Sequence, residues 1–172
     1  MTMMKQFRWF WAWDDEKEEK WLREMAQKGW HFESVALPGF YTFAHGEPRD
    51  DAYRLDYFTD TRDFANYLQL FMDAGWEYKG AMSGWQYFRK TVVNGEAPEI
   101  FSDWESKAKK YQRILTILVV FLPIFVVNLN NLNRRPGTFT EILTFVMFLF
   151  MLFFGYAIFR LGMRIIQLKK KV

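Results

Sequence analysis

The sequence predicts an α+β domain of the ferredoxin-like split β-α-β-β-α-β type, followed by a two-helix transmembrane hairpin. Three observations point there. A helix–glycine–aromatic-strand unit recurs at an offset of 46 residues, since Gly29 and Gly75 align with their flanking aromatics. Two uncharged apolar stretches lie near the end of the chain. The charge changes sign between the front and those stretches: residues 1–110 carry 15 basic and 19 acidic side chains, net −4, and residues 111–172 carry 8 and 1, net +7.

The front, residues 1–90, reads as a cytoplasmic ferredoxin-like α+β domain. Lys5–Trp13 alternates as a strand with Phe7, Trp9, Trp11 and Trp13 on one side. Asp15 and Glu18 have the spacing of a capping box, opening a helix with Trp21, Leu22 and Met25 on one face and Gly29 as its stop. Trp30–Val35 and Phe40–Ala44 read as strand, bent at Pro38–Gly39, and a polar turn leads to the alternating strand Ala52–Phe58. Asp60 or Thr61 caps a second helix striped by Phe64, Leu68 and Phe71 and ended by Gly75. Trp76–Lys79 breaks at Gly80 and Gly84 and resumes as Trp85–Arg89. At the repeat offset Trp21 matches Tyr67, Leu22 matches Leu68, Met25 matches Phe71 and Trp30 matches Trp76. In this arrangement the helices cover one sheet face and leave the other to water or a partner.

Residues 91–110 read as a linker and juxtamembrane helix, with Ser102 or Asp103 as its cap and Trp104 as an interfacial anchor. Residues 111–130 form the first expected span, 131–138 a short external loop, 139–160 the second span and 161–172 a basic cytoplasmic tail. Ile114–Val127 is uncharged, and Ile142–Phe159 holds twelve Ile, Leu, Val or Phe in eighteen residues. At about −0.3 to −0.6 kcal/mol for each at the bilayer centre, those twelve favour insertion by roughly 4–7 kcal/mol before polar costs. Pro123 is expected to kink the first span. Lys109, Lys110 and Arg113 before it, and Arg160 and Arg164 after the second, outnumber Arg134 and Arg135 between them. The chain is therefore expected in the cell membrane with two spans and both termini cytoplasmic. The opening residues show no signal-peptide pattern.

The chemistry of the side chains is sparse. The absence of Cys excludes disulfides, thiolate metal sites and cysteine nucleophiles, and His31 and His45 are the only histidines. No phosphate loop, HExxH or GxSxG is present. No catalytic, cofactor or metal residues are expected, and the slightly acidic front argues against direct nucleic-acid binding. The expected ligand or partner surface comprises Trp9, Trp11, Arg54, Asp56, Trp85 and Arg89, where an apolar cation would find aromatic faces.

The segments EEKWLREMAQKGW (Glu18–Trp30), YRLDY (Tyr53–Tyr57), DAGW (Asp73–Trp76) and WQYFRK (Trp85–Lys90) resemble the domain of unknown function 2812 family over about residues 5–90. The resemblance implies a bacterial membrane protein, often encoded beside PadR-like regulators, and brings no catalytic residues. The expected function is a non-enzymatic, membrane-anchored regulatory or sensory protein acting through protein contacts of its cytoplasmic domain. Its expected partners are the bilayer, further copies of itself, and a PadR-like regulator or another membrane protein. The alternative is an accessory or oligomeric subunit of a transport complex.

Overall fold

The computed structural model describes residues 2–93, 98–99, 104–132 and 137–170, the side chains of residues 104–106 excepted. The chain divides into two compact units, Met1–Ser102 and Asp103–Val172. The cap expected at Ser102 or Asp103, the side chain of Trp104, and Arg134 and Arg135 lie outside the described residues.

The first unit contains β1 (Met3–Phe7), α1 (Asp15–Gln27), β2 (Trp30–Ala36), β3 (Phe40–His45), β4 (Asp51–Tyr57), α2 (Phe64–Asp73), β5 (Glu77–Met82) and β6 (Trp85–Thr91). Two three-stranded antiparallel sheets form, ordered β1-β3-β2 and β4-β6-β5. The topology is therefore two β-α-β-β halves rather than the four-stranded β-α-β-β-α-β order expected. Each strand read as bent or interrupted is a hairpin. Pro38–Gly39 and Ser83–Gly84 are tight turns, with Gly39 and Gly84 at positive φ, so the strands on either side pair with each other.

The repeat itself is deeper than its sequence trace. Both hairpins carry a register shift at the same place, between Phe32 and Ser34 and between Tyr78 and Gly80. The extra residues, Glu33 and Lys79, are equivalent at the 46-residue offset and approach to 3.9 Å where β2 lies beside β5. A bulge leaves one residue outside the ladder and increases local twist, so each half bends at an equivalent point. Gly29 and Gly75 follow their helices with φ of +82° and +79°. This is the left-handed stop that glycine adopts without Cβ strain.

The helices do not share a face. α1 buries Trp21, Leu22, Met25 and Ala26 against Phe32, Tyr41 and Phe43 of the first sheet and Tyr53, Leu55 and Tyr87 of the second. α2 packs Tyr67, with Phe64, Leu68 and Phe71, against Ala52, Trp76 and Phe88 on the opposite face of the second sheet. The second sheet is thus covered on both sides, because its strands carry apolar side chains on both: Tyr53 and Leu55 one way, Ala52 the other. Full burial of a Leu or Phe is worth roughly 1.5–3 kcal/mol, and Leu22, Leu55, Phe43 and Phe88 are all at most 1% exposed. Glu19 joins α1 to the second half, its Oε1 accepting the Leu55 amide at 2.8 Å.

Neither helix start is the one expected. Asp14 occupies the N-cap position of α1 without a side-chain cap bond, and Asp63 that of α2 likewise. Asp60 instead pairs with Arg62, which holds its carboxyl down at about 2. Strand β1 ends at Phe7, four residues after its start, not at Trp13. The chain then runs as a loop in which Trp9, Trp11 and Trp13 follow one another at ring separations of 5.4 and 5.6 Å.

The second unit is a pair of packed helices, α3 (Trp104–Leu132) and α4 (Thr138–Lys169), and α3 continues through Pro123. Both are long and apolar enough to cross a membrane. Only 6% of each apolar window is buried, whereas a helix in the core of a soluble protein is mostly covered. Buried residues gather towards the start of α3 (Ala108, Tyr111, Ile114) and the end of α4 (Leu161, Ile165, Leu168). Lys109, Lys110 and Arg113 lie near that start and Arg160 and Arg164 near that end, with Lys110 and Arg164 on the Tyr111 ring at 5.2 and 6.0 Å.

Candidate functional site

One cleft of about 160 Å³ opens in the first unit where its two halves meet. The β1–α1 loop supplies Trp9 and Trp11, the β2–β3 turn supplies Leu37–Gly39, and the β5–β6 hairpin supplies Met82 and Trp85. Beneath these lie Glu18, Tyr41 and Tyr87, all buried. The tryptophans therefore face a shared space, while Leu37 and Trp9, 69% and 51% exposed, keep its rim open.

The floor is a three-residue hydrogen-bond group. Tyr41 Oη donates to Glu18 Oε1 at 2.6 Å and Tyr87 Oη donates to the same atom at 2.7 Å. Tyr41 and Tyr87 are equivalent at the 46-residue offset, so each half of the repeat contributes one hydroxyl to one carboxylate. Helical spacing explains the acid: Glu18 is three residues before Trp21 and four before Leu22, on the core face of α1. Burial raises the Glu18 carboxyl above its ordinary 4.5, against the lowering effect of the two hydroxyls, and Asp15 raises it further. Burial and then the Glu18 charge raise Tyr41 and Tyr87, which keeps both as donors.

The Arg8 guanidinium lines the same cleft, 5.2 Å from the Phe10 ring centre and 4.9 Å from that of Trp21. Those distances are within the range of cation–π attraction.

A raised carboxyl contributes stability below its unfolded value, and that contribution is lost as pH rises through the raised folded value. Glu18→Gln keeps an acceptor for both hydroxyls and cannot ionise. Thermal melts of the variant and the parent chain should therefore converge below pH 4.5, with the variant more stable above the Glu18 titration. Asp50, lowered by Arg23, works in the opposite direction in both proteins and cancels in the difference.

Of the expected surface, Trp9, Trp11 and Trp85 come together and Arg54, Asp56 and Arg89 do not. Arg54 lies 3.5 Å from Glu19 and 3.4 Å from Glu99. Asp56 is buried and accepts from Tyr67 Oη at 3.1 Å on the α2 side. Arg89 pairs with Asp51 and Glu77. These are ties within the domain, so the charged half of the expected surface is a set of braces. His31 is likewise structural, its Nε2 donating to the Glu47 carbonyl at 2.8 Å. Among the described residues no group of three acids or histidines has metal-binding geometry.

Glu18 is the cleft residue that sequence reasoning missed. A glutamate three residues into a capping box and a glutamate on the buried face of a first turn have the same spacing. The signal that separates them is the tyrosine pair 41 and 87, which recurs at the offset already evident from Gly29 and Gly75.

Searches of curated proteins and of solved structures return no match. A family model described as "Protein of unknown function (DUF2812)" matches residues 14–122, from the start of α1 into the apolar helix α3. The match takes in Glu18, both tyrosines and Trp85 and begins after Trp9 and Trp11, so the cleft's floor lies inside the family segment and part of its aromatic rim outside it. With well over half its length covered, the chain belongs to the DUF2812 family.

Proposed function

We propose that this chain is a non-enzymatic, membrane-anchored sensory protein, whose first unit takes a small ligand in the cleft between its halves and acts through protein contacts. The observation that carries the reading is the Glu18 carboxylate held by one tyrosine from each half. Anything that enters the cleft meets both halves together, so occupancy can be expressed as a change in how they fit. Two helices of membrane-crossing length support the anchoring. Basic residues before the apolar stretch of α3 and after that of α4 outnumber the two between them, which supports cytoplasmic placement of both ends.

Affinity purification of the tagged chain from gently solubilised native membranes, with the mass of the intact complex measured, tests the protein-contact part. The expected result is a stoichiometric regulatory protein, such as a PadR-like regulator or a kinase. A closed homo-oligomer carrying no second protein contradicts it.

A further inference from the structure

We propose that the cleft binds an organic cation carrying an aromatic ring, with its charge on Glu18 and its ring among Trp9, Trp11 and Trp85. The inference rests on the reading of this cleft as the ligand site and adds the chemistry of the ligand.

Three features select that class. A carboxylate 6% exposed is costly unless a positive charge or strong donors answer it, and two neutral hydroxyls on one oxygen answer it only in part. The walls include three indoles, a ring type that attracts cations through its quadrupole and receives apolar bodies by burial. The volume, about 160 Å³, holds one ring-sized group and leaves the remainder of a ligand to the open rim. The chain already places a cation beside these rings, since Arg8 lies over Phe10 and Trp21 at the cleft's edge. A ligand with a permanent charge and a hydrophobic body competes with that guanidinium, whose residue stays exposed at the cleft's edge.

The experiment is calorimetric titration of the whole chain in detergent with benzyltrimethylammonium, and with phenylmethanesulfonate as the anion of similar size. Saturable binding of the cation and none of the sulfonate is expected. Glu18→Gln should weaken the cation by about tenfold or more, as loss of the coulombic attraction between opposite charges in a partly water-excluded cleft implies. Trp9→Ala, at a position 51% exposed, should weaken it about two- to fivefold. A thermal melt of each variant separates loss of binding from loss of fold. Absence of cation binding overturns the proposal, as does an affinity unchanged in Glu18→Gln. Preference for the sulfonate also overturns it, because Arg8 would then be the recognising group. Cation binding without any partner protein would leave this assignment standing and remove the sensory output, so the two readings fail separately.

Discussion

Replacing Asp51 by alanine should destabilise the first unit by about 3–5 kcal/mol, the cost of removing one partner from a buried ion pair. The carboxylate is completely buried at the start of β4. Arg89 reaches it at 3.1 Å, Thr91 Oγ1 donates at 3.1 Å, and Arg49 stands at 3.5 Å. The register of β4 on β6 makes this arrangement, since Asp51 faces Thr91 and Tyr53 faces Arg89. Alanine leaves the half-buried Arg89 guanidinium with Glu77 alone and opens a void at the strand's first residue. Asp51→Asn keeps the shape and an acceptor for Thr91 and should cost less. Chemical denaturation followed by tryptophan fluorescence measures both. A loss below about 1 kcal/mol for the alanine variant would show that the cluster behaves as a solvent-screened surface pair.

The second large effect falls on one of two equivalent glycines. Placing Ala at the left-handed stop of either helix costs about 1–2 kcal/mol in backbone strain. At Gly75 that is nearly the whole effect, because a Cβ would meet only the end of the Lys90 side chain, at 3.5 Å. At Gly29 the same Cβ would stand 2.6 Å from the Gly46 carbonyl oxygen, which belongs to backbone and cannot move aside. Gly46 also donates its amide to the Gly29 carbonyl at 2.9 Å, so relief would break that contact. Gly29→Ala should therefore lower the midpoint well beyond Gly75→Ala. Equal losses would mean that the 29–46 contact gives way freely.

What the sequence made legible depended on the range of the interactions involved. Gly29 and Gly75 act locally, so the helix ends and the 46-residue repeat could be read directly. The apolar stretches of α3 and α4 were equally plain, because crossing a membrane depends on length and composition. Hairpin pairing was harder: the Pro38–Gly39 turn and a bend in one strand look alike until the partner strand is known. Tertiary context reassigned individual side chains. Glu18 had the spacing of a cap and went to two tyrosines distant in sequence. Arg54, Asp56 and Arg89 had the charge of a surface and went to neighbours inside the domain. The tryptophans were recognised as unusual, yet Trp9 and Trp11 reached the cleft from a loop rather than from a strand face.

A sensory cleft is tested most directly by asking whether its occupancy changes what the protein holds. The measurement is the amount of regulatory partner retained on the purified chain with and without saturating benzyltrimethylammonium, for the parent sequence and for Glu18→Gln. The prediction is that the cation changes the retained fraction in the parent and leaves it unchanged in the variant. The same retained fraction with and without cation in the parent, under conditions where calorimetry shows the cleft filled, would contradict it.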